Sequence, residues 1–237
     1  MRCIPRSWRK ITVFQNTLQT MKVSTSQTDA IFNTSTSQHT STSTLVLFDF
    51  DGTITTKDTL IEFVHYYRGK KQYWLGMLRL APVLILYLFK IIPNWKAKQF
   101  FLARYFKGEK IDRFNARCLD FSRQKLPGLI RPGAKKAIEE YRRQNCTIAV
   151  VSASAENWVR PWCDQHGIIC LATRLESKDG LLTGNIQGRN CYGDEKVCRI
   201  KDAFTLTSFQ KIIAYGDSSG DREMLDLAHE RHYKPWR

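Results

Sequence analysis

The sequence predicts an α/β protein: an open parallel sheet whose first crossover is expanded into an inserted helical cap. Three observations predict it. Apolar runs at Leu45–Phe48, Cys146–Ser154 and Lys211–Asp221 each pass into a small polar loop that opens a helix. The runs are apolar without alternation, as strands buried between two helical layers must be. Nearly a hundred residues separate the first run from the second, and most of them carry helical spacing. That is far longer than an ordinary crossover.

The elements follow in order. Residues 1–44 include "STSQTDAIFNTSTSQHTSTST", a Ser/Thr-rich stretch with no periodic apolar pattern, and read as a disordered leader. A transit-type peptide is the alternative, Met21 offers a second start, and the compact apolar block of a secretory signal is missing. "LVLF" is the first strand. The cap, Leu60–Leu126, holds "DTLIEFVHYYRG", "YWLGMLRLAPVLILYLFKII", "WKAKQFFLARYF" and "IDRFNARCLDFSRQKL" as its helices. "RPGAKKAIEEYRRQN" is a helix opened by Pro132. "CTIAVVSAS" is the second strand, "DGLLTGNIQGRNCYG" (Asp179–Gly193) a hairpin with Gly turns, and "KIIAYG" the third strand. A last short strand is expected near His232. The α/β core is thus 45–59 together with 127–237, and the cap is 60–126.

Composition bounds the function. With 43% hydrophobic and 25% charged residues, the chain reads as a globular protein. Its formal charge of +15 points to an anionic partner, whether nucleic acid, membrane surface or phosphorylated substrate. No nucleic-acid module or arginine-rich run is present, so nucleic acid is set aside. Seven scattered cysteines form no C-x-x-C pair, which argues against zinc and for free thiols in a reducing, cytoplasmic setting. No feature sets an oligomeric state.

In such sheets ligands bind beyond the carboxyl ends of the strands. The three loops there bring Asp49 and Asp51, Ser152 and Ser154, and Asp217 and Asp221 to one edge. Two ionised carboxylates as close as Asp49 and Asp51 repel, which raises a pKa; a divalent cation relieves the conflict. Hard oxygen donors suit magnesium or calcium. A calcium helix-loop-helix is excluded, because counting from Asp49 the sixth residue is Ile54 and the twelfth Leu60. Ser152 and Ser154 suit phosphate oxygens, and Lys196 is a point charge for a phosphoryl group. Taken singly, D-x-D-G is most often a surface turn, Asp217 and Asp221 helix caps, Ser152 a turn residue and Lys196 a solvated cation. Their joint occurrence at the strand ends is the signal.

That set resembles the haloacid dehalogenase superfamily of phosphohydrolases. "DFDGTIT" is similar to its first motif, "VVSAS" to its second, Lys196 to its third and "GDSSGD" to its fourth, over roughly Leu45 to Trp236. The insertion directly after the first motif resembles the subgroup of phosphoserine phosphatase and phosphatidylglycerophosphatase C. The resemblance implies a Rossmann-like core, Mg²⁺ and a phosphate monoester substrate. It implies Asp49 as nucleophile and Asp51 as acid/base, with the Asp51 main-chain carbonyl also a metal ligand. Asp217 would complete the ligands, and Asp221 would assist through water or by orienting Lys196. Ser152 and Lys196 would hold the phosphoryl oxygens. Asp58 stands where phosphoserine phosphatases usually carry Glu for the substrate amine, and Thr53 where many have Ser.

The cap bears on substrate. Between Lys57 and Arg131 there are 16 Lys/Arg against 5 Asp/Glu, a net +11 of the chain's +15. Within it, Tyr73–Pro93 is strongly apolar, but its uninterrupted part, Ala81–Phe89, is well short of the roughly 20 residues a bilayer demands. A spanning helix with Arg79 and Lys90 snorkelling, a buried helix pair and a membrane-interfacial segment are the three readings. Basic flanks and Tyr73, Trp74 and Trp95 favour an anionic membrane surface, with the protein peripheral on a membrane's inner face. The expected function is a phosphomonoesterase acting on a lipid phosphate such as phosphatidylglycerophosphate. A soluble small-metabolite phosphatase and a non-catalytic membrane scaffold are the alternatives.

Overall fold

The computed structural model describes residues 43–237. The expected leader lies outside the described residues except for Ser43 and Thr44, and Thr44 is already the first residue of strand β1 (Thr44–Phe48). Four helices follow: α1 (Thr59–Arg68), α2 (Lys70–Leu88), α3 (Asn94–Phe106) and α4 (Ile111–Gln124). Then come α5 (Pro132–Arg143), β2 (Thr147–Ala155), α6 (Glu156–Gln165), β3 (Ile169–Thr173), β4 (Leu175–Lys178), β5 (Leu181–Ile186), α7 (Asp194–Ala203), β6 (Lys211–Gly216), α8 (Arg222–Asp226) and β7 (Glu230–Tyr233). No helix among the described residues is long and apolar enough to cross a membrane, which removes the spanning reading of α2.

Among the described residues the main sheet has five parallel strands in the order β3-β2-β1-β6-β7. Its strands are unalternating for a physical reason. Val46 and Phe48 of β1 enter a core shared with the four inserted helices, α5 and α6, while Leu45 and Leu47 enter one under α7 and α8. Both faces are dry. The first core runs without a break into the insertion: the Phe63 ring of α1 stacks on Trp158 of α6 at 4.9 Å and meets Phe106, Phe114 and Phe121 of α3 and α4.

Two elements differ from the sequence reading. The hairpin is β4–β5, so its first strand lies upstream of Asp179. The "DG" taken as its beginning is its turn, with Asp179 and Gly180 both at positive φ, the conformation tight hairpins demand. Strand β3 is new: "ICLAT" has no polar loop signal of its own, and its strand character comes from pairing with β2. The hairpin also packs on the insertion, since Gly108 N donates to Leu182 O at 2.8 Å. At Gly184, φ is +86° and a Cβ would stand 2.4 Å from the Ala103 Cα of α3. Gly184→Ala therefore combines a left-handed backbone with a backbone clash. A loss of at least about 2 kcal/mol is expected in urea unfolding.

Candidate active site

The strand order reverses direction about β1, and the carboxyl ends of β1, β2 and β6 meet there. Phe48 is in register with Val150 on one side and Tyr215 on the other. Asp49 continues the ladder, its N–H donating to Tyr215 O at 2.9 Å. The chain then turns at Gly52, φ +79°, where a Cβ would lie 2.5 Å from Asp217 Oδ2. Glycine there lets the first and fourth motif loops close on each other.

Lys196, in the first turn of α7, is 1% exposed. Its ammonium donates to Asp49 Oδ1 at 2.6 Å, Asp221 Oδ1 at 2.6 Å and Val151 O at 2.7 Å. All three donors are engaged. Burial alone would push the ammonium down, but the Asp49 and Asp221 carboxylates outweigh it and hold its pKa up. Asp221 is a hub as well: Oδ2 accepts from Asp217 N, Ser218 N and Ser218 Oγ. Against the cost of burial, Lys196 and these donors keep its carboxyl below the usual range.

The paired aspartates face different partners. Asp49 turns to Lys196, whereas Asp51 Oδ1 accepts from Thr59 N at 2.7 Å and Oδ2 from Ser154 Oγ. Burial above all raises Asp49, to about 7, against the pull of Lys196. Burial and then the Asp58 carboxylate raise Asp51, to about 6. The mutual repulsion invoked from the sequence is a small contributor; desolvation is the main cause.

The remaining expected residues sit as follows. Ser154 is held between Asp51 and Thr59, with Oγ 3.1 Å from Thr59 Oγ1. Ser152 is fully buried and its Oγ accepts from Ser154 N at 3.0 Å, shaping the loop beneath the cavity. Thr53 is buried too. Its Oγ1 lies 3.2 Å from Asp49 Oδ2 and 3.3 Å from Asp217 Oδ1, a brace between carboxylates. Asp58 is exposed and caps α1, accepting from Leu60 N at 2.9 Å and Ile61 N at 3.3 Å. It still lines the cavity of about 360 Å³ that also holds Asp49, Asp51, Lys196, Asp217 and Asp221. A larger cleft of about 900 Å³ between α4 and α6 contains none of these groups.

A family model for haloacid dehalogenase-like hydrolases matches residues 46–226. The chain belongs to this family. It is 35% identical over 196 residues to Protein CicA of Caulobacter vibrioides, covering 81% of this chain and 86% of that one. Its fold is similar to that of a Bordetella pertussis Tohama I protein of unknown function, with TM-score 0.68 and 21% identity over 80% of this chain and 89% of the other. It is also similar to a phosphoserine phosphatase solved as a phospho-aspartyl intermediate analogue, with TM-score 0.52 and 23% identity over 80% and 85%.

Within the haloacid dehalogenase-like fold the donor set fits a hard divalent cation. Carboxylate oxygens of Asp49, Asp217 and Asp221 lie within 4.8 Å of one another. The Arg237 guanidinium donates to Asp217 Oδ2, so a cation already stands at the open side of the cluster. Burial raises the Asp217 carboxyl and Arg237 opposes it. The Asp51 side chain is not one of these three carboxylates.

Thr59, Arg237 and Lys98 are at the site and absent from the sequence reading. Lys98 of α3 donates to Ala153 O in the second motif loop and to Asn190 Oδ1 at 2.9 Å. "NWKAKQFFLARYF" carries three basic residues, and spacing alone does not say which of them faces the core.

Proposed function

We propose that this chain is a Mg²⁺-dependent phosphomonoester hydrolase that works through an aspartyl-phosphate on Asp49, with a lipid phosphate as substrate. The observation that carries the catalytic part is the convergence of the buried Asp49, Lys196 and Asp221 with the half-buried Asp217 at the strand ends. A non-catalytic scaffold has no use for so many buried charges, each expensive to desolvate. Mg²⁺ would be held by Asp49, Asp217 and the Asp51 carbonyl, with Asp221 behind them, and supplies positive charge to the phosphoryl oxygens.

The chain's own groups then act in two steps. Asp49 attacks phosphorus and the bond to the ester oxygen breaks, while Asp51 gives its proton to the departing alkoxide. A pKa raised to about 6 suits a group that must hold a proton near neutral pH and take one back. Asp51 next takes a proton from water, which attacks phosphorus. The bond to Asp49 breaks and inorganic phosphate leaves. Lys196 stabilises the charge on the transferring group. The solved phospho-aspartyl analogue of the similar phosphoserine phosphatase supports this route.

The lipid part rests on the outer face of α2 and the turn to α3. Leu78 is 72% exposed, Leu88 75% and Phe89 74%, with Trp74, Ile85, Ile91 and Trp95 also exposed. Lys70, Lys71, Arg79, Lys90 and Lys96 stand among them. An apolar tip set in basic residues suits insertion into an anionic membrane interface. Helices α2 and α3 also line a cavity with Asp51, through Leu84, Tyr87 and Phe101, so a docked tip would bring the bilayer to the site's edge. Leu88→Asp with Phe89→Asp is expected to weaken sedimentation with anionic liposomes by at least about tenfold.

The test is phosphate release from phosphatidylglycerophosphate and from phosphoserine, with and without anionic liposomes, in Mg²⁺ and in EDTA. Metal-dependent, liposome-stimulated turnover of the lipid is expected. Turnover of phosphoserine alone would keep the catalytic reading and discard the lipid one.

A further inference from the structure

Among the described residues two cations ion-pair with the carboxylates of Asp49, Asp217 and Asp221, and they are held very differently. Lys196 is buried and spends all three donors, on Asp49, Asp221 and the Val151 carbonyl. It cannot leave without stranding two carboxylates. Asp217 pairs instead with Arg237, whose guanidinium donates to Oδ2 and, at 3.4 Å, to Gly52 O. That side chain is 43% exposed, so water can take over its donors at little cost. One cation is fixed and the other is removable.

The removable one is still delivered to its place. Beyond β7, Lys234 N donates to Gly216 O at 2.9 Å and extends the pairing with β6. The Trp236 ring stacks on Tyr215 at 5.1 Å, and Tyr215 also stacks on His232 at 4.3 Å. Gly133 leaves room for the indole, since a Cβ there would run into it, and the Arg131 guanidinium donates to Trp236 O at 3.3 Å. A Cβ at Gly52 would stand 2.7 Å from Arg237 Nη2, so the first motif loop makes room for the guanidinium too. The result is a tethered cation on the wall of the cavity that holds Asp49, Lys196, Asp217 and Asp221.

We propose that Arg237 is a built-in competitor of the divalent cation: it neutralises Asp217 until the ion arrives, and so sets the Mg²⁺ concentration at which the site fills. The inference rests on the metal reading of the acidic cluster given above. Magnitudes decide between this role and a positioning one. Thr53 Oγ1 already lies 3.3 Å from Asp217 Oδ1, so the carboxylate is braced without Arg237. A half-exposed ion pair adds little to that. The guanidinium charge beside a metal ligand is the larger effect, because a divalent ion doubles the repulsion that a unit charge would feel. Being tethered, the guanidinium competes at a high local concentration however dilute the protein.

The test is calorimetric titration of the full chain with Mg²⁺ at low salt and without substrate, for wild type, Arg237→Gln and Arg237→Lys. Gln removes the charge and keeps an N–H donor for Asp217, whereas Lys keeps the charge. Arg237→Gln is expected to bind Mg²⁺ at least about fivefold more tightly than wild type, with Arg237→Lys within about twofold of wild type. The gap should narrow in about 0.5 M KCl, where charges are screened. A second readout is the rise in melting temperature on adding Mg²⁺, which should be larger in Arg237→Gln than in wild type. Equal affinity in wild type and Arg237→Gln overturns the inference and leaves the metal reading standing. Weaker binding by Arg237→Gln would make Arg237 a positioning residue for Asp217 and overturn it as well. No Mg²⁺ binding by wild type or by Arg237→Gln overturns the metal reading and this inference with it.

Discussion

Asp49→Asn is expected to lower phosphate release by at least about a thousandfold, with the melting temperature nearly unchanged. The substitution keeps the shape of the side chain and removes the anion proposed to attack phosphorus. Asn Oδ1 can still accept from Lys196, as Asp49 Oδ1 does at 2.6 Å, and its amide can reach the Thr53 hydroxyl, which lies 3.2 Å from Oδ2. The fold therefore loses little. Because burial already pushes Asp49 up to about 7, a neutral group suits this position in the metal-free protein. Phosphate release from p-nitrophenyl phosphate in Mg²⁺, with a thermal melt of the same preparation, separates lost chemistry from lost structure. Full metal-dependent activity in the variant would sink the aspartyl-phosphate route.

The site was legible where chemistry is carried by main-chain placement. Asp49, Asp217 and the Ser152–Ser154 loop follow apolar runs, and a parallel sheet puts the ends of such runs side by side whatever the side chains do. Side-chain direction was not legible. Thr53 and Asp58 each lie next to a motif, yet the first braces Asp49 against Asp217 and the second caps α1. Both uses depend on rotamers and on the turn at Gly52. Lys98 was hidden for a related reason. It becomes part of the site only because α3 packs beside the second motif loop, a tertiary fact that its own helix does not encode. The hairpin begins upstream of the expected Asp179, because Asp179 and Gly180 form its turn and its first strand, Leu175–Lys178, carries no turn signal of its own.

The paired carboxylates read as a conflict in the sequence, and the fold resolves much of it by separating their partners. Asp51 is satisfied by neutral donors from Thr59 and Ser154, and Asp49 by the ammonium of Lys196. Burial raises both carboxyls, Asp49 to about 7 against the pull of Lys196 and Asp51 to about 6 with Asp58 adding to the rise, a difference in surroundings that suits the proposed roles of nucleophile and acid.

Lys196→Met is therefore expected to have the largest effect on stability. Met has the length of the stem but no charge, so Asp49, Asp221 and the Val151 carbonyl all lose a donor at once. Breaking a buried ion pair from one side costs about 3–5 kcal/mol. The sign with pH follows from the carboxyls left behind. Without the ammonium, burial and their mutual repulsion raise their folded-state pKa values above those of the unfolded chain. Such groups bind more protons folded than unfolded, so the penalty is absent below the unfolded pKa and grows as pH rises towards the folded one. Urea unfolding in EDTA should show a small deficit near pH 4 and a large one at pH 8. Turnover at pH 8 should fall at least about a hundredfold, because the transferring phosphoryl group loses its fixed cation. Wild-type stability at pH 8 would mean that the three contacts of Lys196 contribute nothing to the fold. The electrostatic account of the centre would then have to be rebuilt around Asp217 and Arg237.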